Sequence, residues 1–437
     1  MIMKLSRQGI QKSLGPGIVL AGACIGGSHL MSSTTAGAKF GFALVGLILL
    51  TNLLKYPFLL VGTRFTAVTG LSLLEGFKAR NSIYLPLYLV IGLITGTFTI
   101  AAVSFVTGLL LTNIPFLSTI PPMDLSIGVL VASGIILLLG HYKALDKISK
   151  ILVLMLTLLT SFAVISLLQR GSLGNIDINF IDSNPSPWTL SNLSFLIPLM
   201  GWMPGPVELC VWPSLWMFSR SRDTKYTANL QEAEFDFNLG YLITVITSLL
   251  FVSLGAFTMY GSGEVMLSES GVSFAQNLIR LYTSSMGDWA KWVIIPASFA
   301  AMFSTTLTCL DAYPRSISAV QGLLQGKDRG ITSSLSERKR LQFWIVIHIF
   351  TSLTALLIAK SGGISVKDFV FGAMTGSFLT APIFAWMAMD TLNSSLVSKK
   401  YRYSPLMNLL CWVGLSFLGG FSLLFIANSF FGLGIVN

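Results

Sequence analysis

Charge is scarce in this chain. Lys, Arg, Asp and Glu together make up 11% of 437 residues, acidic residues number only 18 and histidines three. Soluble domains carry roughly 25% charged residues, so a water-soluble fold is excluded. The four cysteines, Cys24, Cys210, Cys309 and Cys411, all lie in apolar runs, which argues against a disulfide framework. Cys309 and Cys411 read as small apolar fillers. Zinc-type Cys/His spacing, a phosphate-binding glycine loop and a nucleophile elbow are missing, which leaves little basis for an enzyme or an ATP-driven pump. Alternating apolar and polar runs are also missing, so a membrane β-barrel is rejected. No polar stretch is long enough to form a separate soluble domain.

What remains is grease. Apolar residues are 53% of the chain and mean hydropathy is +0.75. A transmembrane helix needs about 20 mostly apolar residues. Eleven such spans are expected, near 15–38, 41–66, 84–112, 124–142, 147–168, 188–218, 236–260, 289–313, 341–360, 367–391 and 405–431. The intervening stretches near 169–187, 219–235, 261–288 and 315–340 read as loops. Basic residues precede the first span, as in a secretory signal, but its interruption and polar continuation mark it as a retained helix.

The net charge of +10 does not form a nucleic-acid patch. Lys4, Arg7, Lys12, Lys78, Arg80, Lys143, Lys147, Lys150, Arg220, Arg222, Lys225, Arg315, Lys327, Arg329, Arg338, Lys339, Arg340, Lys399, Lys400 and Arg402 fall in alternate loops. The other loops hold only Lys39, Arg170, Arg280, Lys291, Lys360 and Lys367. The positive-inside rule then puts the N-terminus in the cytoplasm and, across an odd number of spans, the C-terminus outside the cell membrane.

Two spans are interrupted by helix breakers: Ala23-Cys24-Ile25-Gly26-Gly27-Ser28-His29 in span 1, and Gly201-Trp202-Met203-Pro204-Gly205-Pro206 in span 6. In hydrocarbon an unpaired backbone group costs several kcal/mol, so such breaks survive only against protein or a water-filled cavity. Spans 1–5 (15–168) and 6–10 (188–391) each open with a broken helix. Five spans per unit forces opposite orientations, the inverted-repeat plan of secondary transporters, with 405–431 left as an added span in a single 1–437 unit. The half-helix ends offer carbonyls to cations and N–H groups to anions. Ala23 and Met200, one turn before the breaks, are expected to turn their carbonyls to the cavity. The hydroxyl-rich stretch of Ser28, Ser32, Ser33, Thr34 and Thr35 is expected to line the outward path.

Glu208 is the one acid well inside a span, and an intramembrane ionisable group is a functional hypothesis by default. It also fits a structural role in the first turn of a half-helix, where negative charge is favoured. His29 at the first break is either a metal ligand, a titrating group or a hydrogen-bonded structural imidazole. Met203 offers a soft thioether, although Met is more often core filler. Cys24 and Cys210 flank the breaks as further sulfur donors. Asp311 is expected to pair with Arg315. His141 and His348 are assigned no role.

Leu14-Gly15-Pro16-Gly17 before the first break, and Ala36-Gly37-Ala38-Lys39-Phe40-Gly41-Phe42 after it, resemble helix 1 of the NRAMP divalent-metal transporters. In that family the break reads Asp-Pro-Gly-Asn and is followed by a Gly-Ala-Gln-Tyr-Gly-Tyr-like stretch. Leu50-Thr51-Asn52-Leu53-Leu54 and Val68-Thr69-Gly70 look similar too, and Met203-Pro204 stands where the family has Met-Pro-His. The resemblance implies an all-α, eleven-span transporter of LeuT type with broken helices 1 and 6, working by alternating access. It places the family's metal-binding Asp on Gly26 and its Asn on His29. Its two helix 6 histidines fall on Gly205 and Cys210, and its acidic residues on helix 3 have no counterpart in 84–112. The implied site is Ala23, Gly26, His29, Met200, Met203, Glu208 and Cys210, with His29, Met203 and Glu208 as the side chains that would meet a divalent metal. That ion, of manganese or iron type, would be cargo, moved with a coupling proton or sodium; no resident cofactor and no nucleic-acid partner are expected. Losing a carboxylate from a buried dication site forfeits several kcal/mol. The fork is therefore whether Glu208 restores the charge, or whether the cargo is a small organic solute such as an amino acid. A membrane sensor or scaffold is the weakest reading.

Overall fold

The computed structural model describes residues 7–139, 142–169, 186–261, 271–326 and 335–431, and among them every regular element is helical. Part of the expected 169–187 loop, and Lys4, His141, Arg170, Lys327 and Arg329, lie outside the described residues.

Short α1 (Arg7–Ser13) precedes span 1, which is split into α2 (Pro16–Cys24), a π-helical turn (Ser28–Ser33) and α3 (Thr34–Phe40). Span 2 is α4 (Val45–Thr69), followed by short α5 (Leu73–Arg80); spans 3 to 5 are α6 (Tyr84–Leu111), α7 (Pro122–Leu139) and α8 (Tyr142–Gln169). Span 6 is split into α9 (Leu193–Gly201), a 3-10 turn (Val207–Cys210) and α10 (Val211–Thr224). The rest follow as α11 (Leu230–Met259), α12 (Gly271–Met286), α13 (Lys291–Leu324), α14 (Leu335–Ser361), α15 (Val366–Leu392) and α16 (Pro405–Phe431). Eight of these are long and apolar enough to cross a bilayer. With 28-residue α8 and the two interrupted spans they make the eleven read from the sequence.

Local chemistry sets the ends. Ser72 with Glu75 and Asn229 with Glu232 form reciprocal capping boxes that start α5 and α11. Gly70, at φ 69°, closes α4 in the left-handed conformation. Three expected loops are corrected: 271–286 is helical, α13 runs ten residues beyond Pro314 to Leu324, and 219–224 and 230–235 belong to α10 and α11. Hydropathy marks where the apolar run stops, whereas a helix continues for as long as its backbone is paired.

Span 1 lies along α11. A Cβ on Gly17 would fall 2.2 Å from the Asp236 carbonyl oxygen, and one on Gly240 2.1 Å from the Gly17 carbonyl oxygen, so the two backbones touch where neither residue has a side chain. Further along, Gly37 meets Val252 and Gly255 meets Thr34 in the same way. Asp236, buried on α11, accepts from the Gly15 and Gly17 N–H groups at 2.9 and 2.6 Å. A carboxylate thus satisfies the orphan donors at the positive end of α2.

Candidate functional site

Both breaks are in place. At the first, α2 ends at Cys24 and regular pairing resumes only when the His29 and Leu30 N–H groups reach back to the Gly26 carbonyl. At the second, α9 ends at Gly201, Met203-Pro204 is a cis peptide, and a 3-10 turn leads into α10. The cavity between them is bordered by Ala23, Gly27 and Ser28 from span 1, by Trp202 and Pro204 from span 6, and by Thr305 from α13. Trp212, Tyr313 and Thr99 extend its wall toward α10, α13 and α6.

The carbonyls freed at the first break are met from α13. The Thr305 hydroxyl lies 3.0 Å from the Gly22 oxygen and 3.4 Å from the Ile25 oxygen. A Cβ on Gly26 would lie 2.7 Å from that same hydroxyl oxygen, so Thr305 fills the space a side chain at position 26 needs. The position to which the resemblance assigns a metal-binding Asp is thus closed by a neighbour.

His29 is completely buried. Its Nε2 bonds the Thr244 carbonyl at 3.0 Å, which requires a proton on that nitrogen, and its Nδ1 bonds the Ser28 hydroxyl at 2.8 Å. Both nitrogens are engaged, the ring ties the break to α11, and His29 does not border the cavity. The Ser28 hydroxyl donates to His29 Nδ1, Ser33 and Thr34 donate to the Ser28 and His29 carbonyls of their own helix, and all five hydroxyl residues are buried.

Lys55, which the sequence reading passed over, dominates the second break. It sits mid-span on α4 with no exposed surface. Its ammonium donates to the carbonyls of Met200 at 2.6 Å, Gly201 at 2.8 Å and Gly205 at 3.2 Å. The Met200 carbonyl, expected to face cargo, is therefore already bonded to a cation. An ionisable residue inside an apolar run was the available signal. Trp202 completes the anchoring by donating to the Ser377 hydroxyl on α15 at 3.0 Å.

Glu208 is buried and accepts from the Tyr313 hydroxyl at 2.5 Å, while its other oxygen has no protein partner. Asp311 is paired with Arg315 as expected, at 2.5 and 2.9 Å, and also accepts from Trp216. Of the seven expected site residues, Ala23 borders the cavity itself. Gly26 and Glu208 reach it through their neighbours Thr305 and Tyr313; Met203 and Cys210 are fully buried beside it in the chain. Among the described residues no three His, Cys, Asp or Glu side chains converge to share a metal ion.

This architecture has known counterparts. A mutant of the Eremococcus coleocola manganese transporter superposes with a TM-score of 0.72 over 100% of this chain and 91% of its own, at 15% identity. MhsT in complex with L-phenylalanine gives 0.61 over 97% and 99%, at 16% identity. At such identities the likeness is one of fold, and it fits a LeuT-type membrane protein. In sequence, an uncharacterized protein of Pasteurella multocida (strain Pm70) is 36% identical over 418 residues, covering 95% of this chain and 92% of its own length. The model of the Nramp family, described as natural resistance-associated macrophage protein-like, matches residues 17–428. A multi-pass membrane protein with two broken spans facing one cavity, this chain belongs to the Nramp family.

Proposed function

We propose that this chain is a secondary-active, alternating-access transporter, a symporter that carries its cargo through the cavity between the breaks of spans 1 and 6. The carrying observation is the convergence of Ala23, Gly27, Trp202, Pro204 and Thr305 from two broken helices and α13 on one buried cavity. Discontinuous helices at a repeat interface are how such transporters build their sites. In this reading 15–168 and 188–391 are inverted repeats with 405–431 added, and the N-terminus is cytoplasmic and the C-terminus outside the cell membrane. Family membership supports a metal ion as the cargo class. Manganese or iron would use the Ala23 carbonyl and the Met203 thioether, and Glu208 would supply the negative charge, with a proton or sodium as coupling ion.

A second cargo reading has an observation of its own. Lys55 holds the helix 6 carbonyls, Thr305 fills the place of a side chain at Gly26, and both His29 nitrogens are bonded. That arrangement favours a small organic solute such as an amino acid, needing no metal. Uptake into proteoliposomes separates the two. Saturable manganese uptake that falls with Met203→Ala and Glu208→Gln supports metal; absence of manganese uptake alongside saturable uptake from an amino-acid panel supports the organic solute. No saturable uptake of either kind, from correctly reconstituted protein, rejects transport.

A further inference from the structure

At a broken membrane helix the C-terminal carbonyls of the first half carry the negative end of its dipole and are the natural seat of a free cation. In this chain that seat has an occupant attached to the protein. Lys55 has three ammonium protons and three carbonyl partners, two on the last residues of α9 and one within the break. Among the described residues no carboxylate lies within ion-pair distance of it. Its charge is met by backbone oxygens, as that of a coordinated ion would be. The stem crosses from α4, whose neighbouring residues Leu54 and Phe58 are buried and apolar.

We infer that Lys55 is a tethered cation that permanently fills the cation seat of the span 6 break, so that no free metal or alkali ion binds there. The inference rests on reading the break as a cation-facing site of the proposed transporter, but it holds for either cargo. Truncating the side chain should empty the seat and open it to a small primary ammonium ion of matching shape. Propylammonium reproduces the lysine side chain beyond Cβ.

The test is thermal melting of the purified full-length protein in detergent, followed by intrinsic fluorescence. Each sample is titrated with sodium, potassium, manganese, propylammonium and tetramethylammonium, the last having no N–H to donate. Any stabilisation of wild type by sodium, potassium or manganese should be shared by Lys55→Met, because it arises away from this seat, and the two organic ammonium ions should leave wild type unchanged. Lys55→Ala should melt several degrees lower and recover saturably with propylammonium, by mass action on the folded state, but not with tetramethylammonium. Lys55→Arg, which keeps the charge, should give more monodisperse protein and a higher melting temperature than Lys55→Met, which keeps length alone. That comparison stands even if Lys55→Ala does not fold. Lys55→Met melting like wild type overturns the inference, as does saturable stabilisation of wild type by sodium, potassium or manganese that Lys55→Met does not share. Melting needs no transport, so failure of every uptake assay would reject the transport reading while leaving this result standing.

Discussion

A divalent ion that used the Met200 carbonyl would share that oxygen with Lys55, and the energetic consequence follows from distances. The ammonium nitrogen is 2.6 Å from the oxygen. A small divalent ion sits roughly 2.1–2.3 Å from an oxygen ligand, which places the two cations within about 5 Å of each other. At an effective dielectric of about 20, a double and a single positive charge at that separation repel by about 6–7 kcal/mol. Even a twofold higher dielectric leaves about 3 kcal/mol, or roughly two decades in affinity. Neutralising the lysine should remove this repulsion. In Lys55→Met, manganese affinity measured by calorimetry on detergent-solubilised protein should therefore rise by at least a hundredfold over wild type. Quenching of the tryptophan fluorescence, to which cavity-bordering Trp202 and Trp212 contribute, gives a second readout. A wild type that binds manganese in the micromolar range, with an affinity unchanged in Lys55→Met, would refute the argument: the ion would then bind away from the helix 6 carbonyls.

Asp236→Ala leaves the Gly15 and Gly17 N–H groups unpaired inside the bundle; hydrogen bonds to a charged group are worth about 1.5–3 kcal/mol each, so the melting temperature should fall clearly, and less in Asp236→Asn, which keeps one acceptor. Restoring a carboxylate by Gly26→Asp should not by itself create manganese binding, because the new side chain collides with Thr305 and overpacking costs about 1–3 kcal/mol; the double variant Gly26→Asp/Thr305→Ala should recover stability in the same melt. Tyr313→Phe removes the donor to the Glu208 carboxylate and should lower the yield of folded protein and the uptake rate, whereas the same substitution in a Glu208→Gln background should cost less, a coupling that a double-mutant cycle measures.

Much of the fold was open to reading because a bilayer imposes a length on every crossing. The eleven apolar runs reappear as helices, and glycine and proline mark both breaks. Helix ends were less legible. The 261–288 stretch looked like a loop because α12 is too polar to register as a span, although Gly271–Met286 is helical. Arg315 looked like the start of a loop, yet it remains in α13 and pairs one turn back with Asp311.

The site was legible in location and not in content. Glu208 stood out as an acid in an apolar run. Lys55 offered the same kind of signal, a charge inside an apolar run, but basic residues were weighed only where they fall in loops. The mutual fit of Gly26 and Thr305 had no sequence signal at all, since residues 279 positions apart meet only through the packing of span 1 on α13. His29 was visible as an unusual residue, but its two bonds, one local to Ser28 and one to Thr244 across the bundle, needed coordinates to be seen.

The seam between span 1 and α11 limits how the protein can move. One face of the interrupted helix is strapped to a continuous neighbour above, at and below its gap: Gly37 on Val252, His29 on Thr244, Gly17 and Asp236 on each other. The gap is consequently no free elbow. Parting either segment from α11 breaks these contacts, and parting span 1 from α13 breaks those of Thr305 with the Gly22 and Ile25 oxygens.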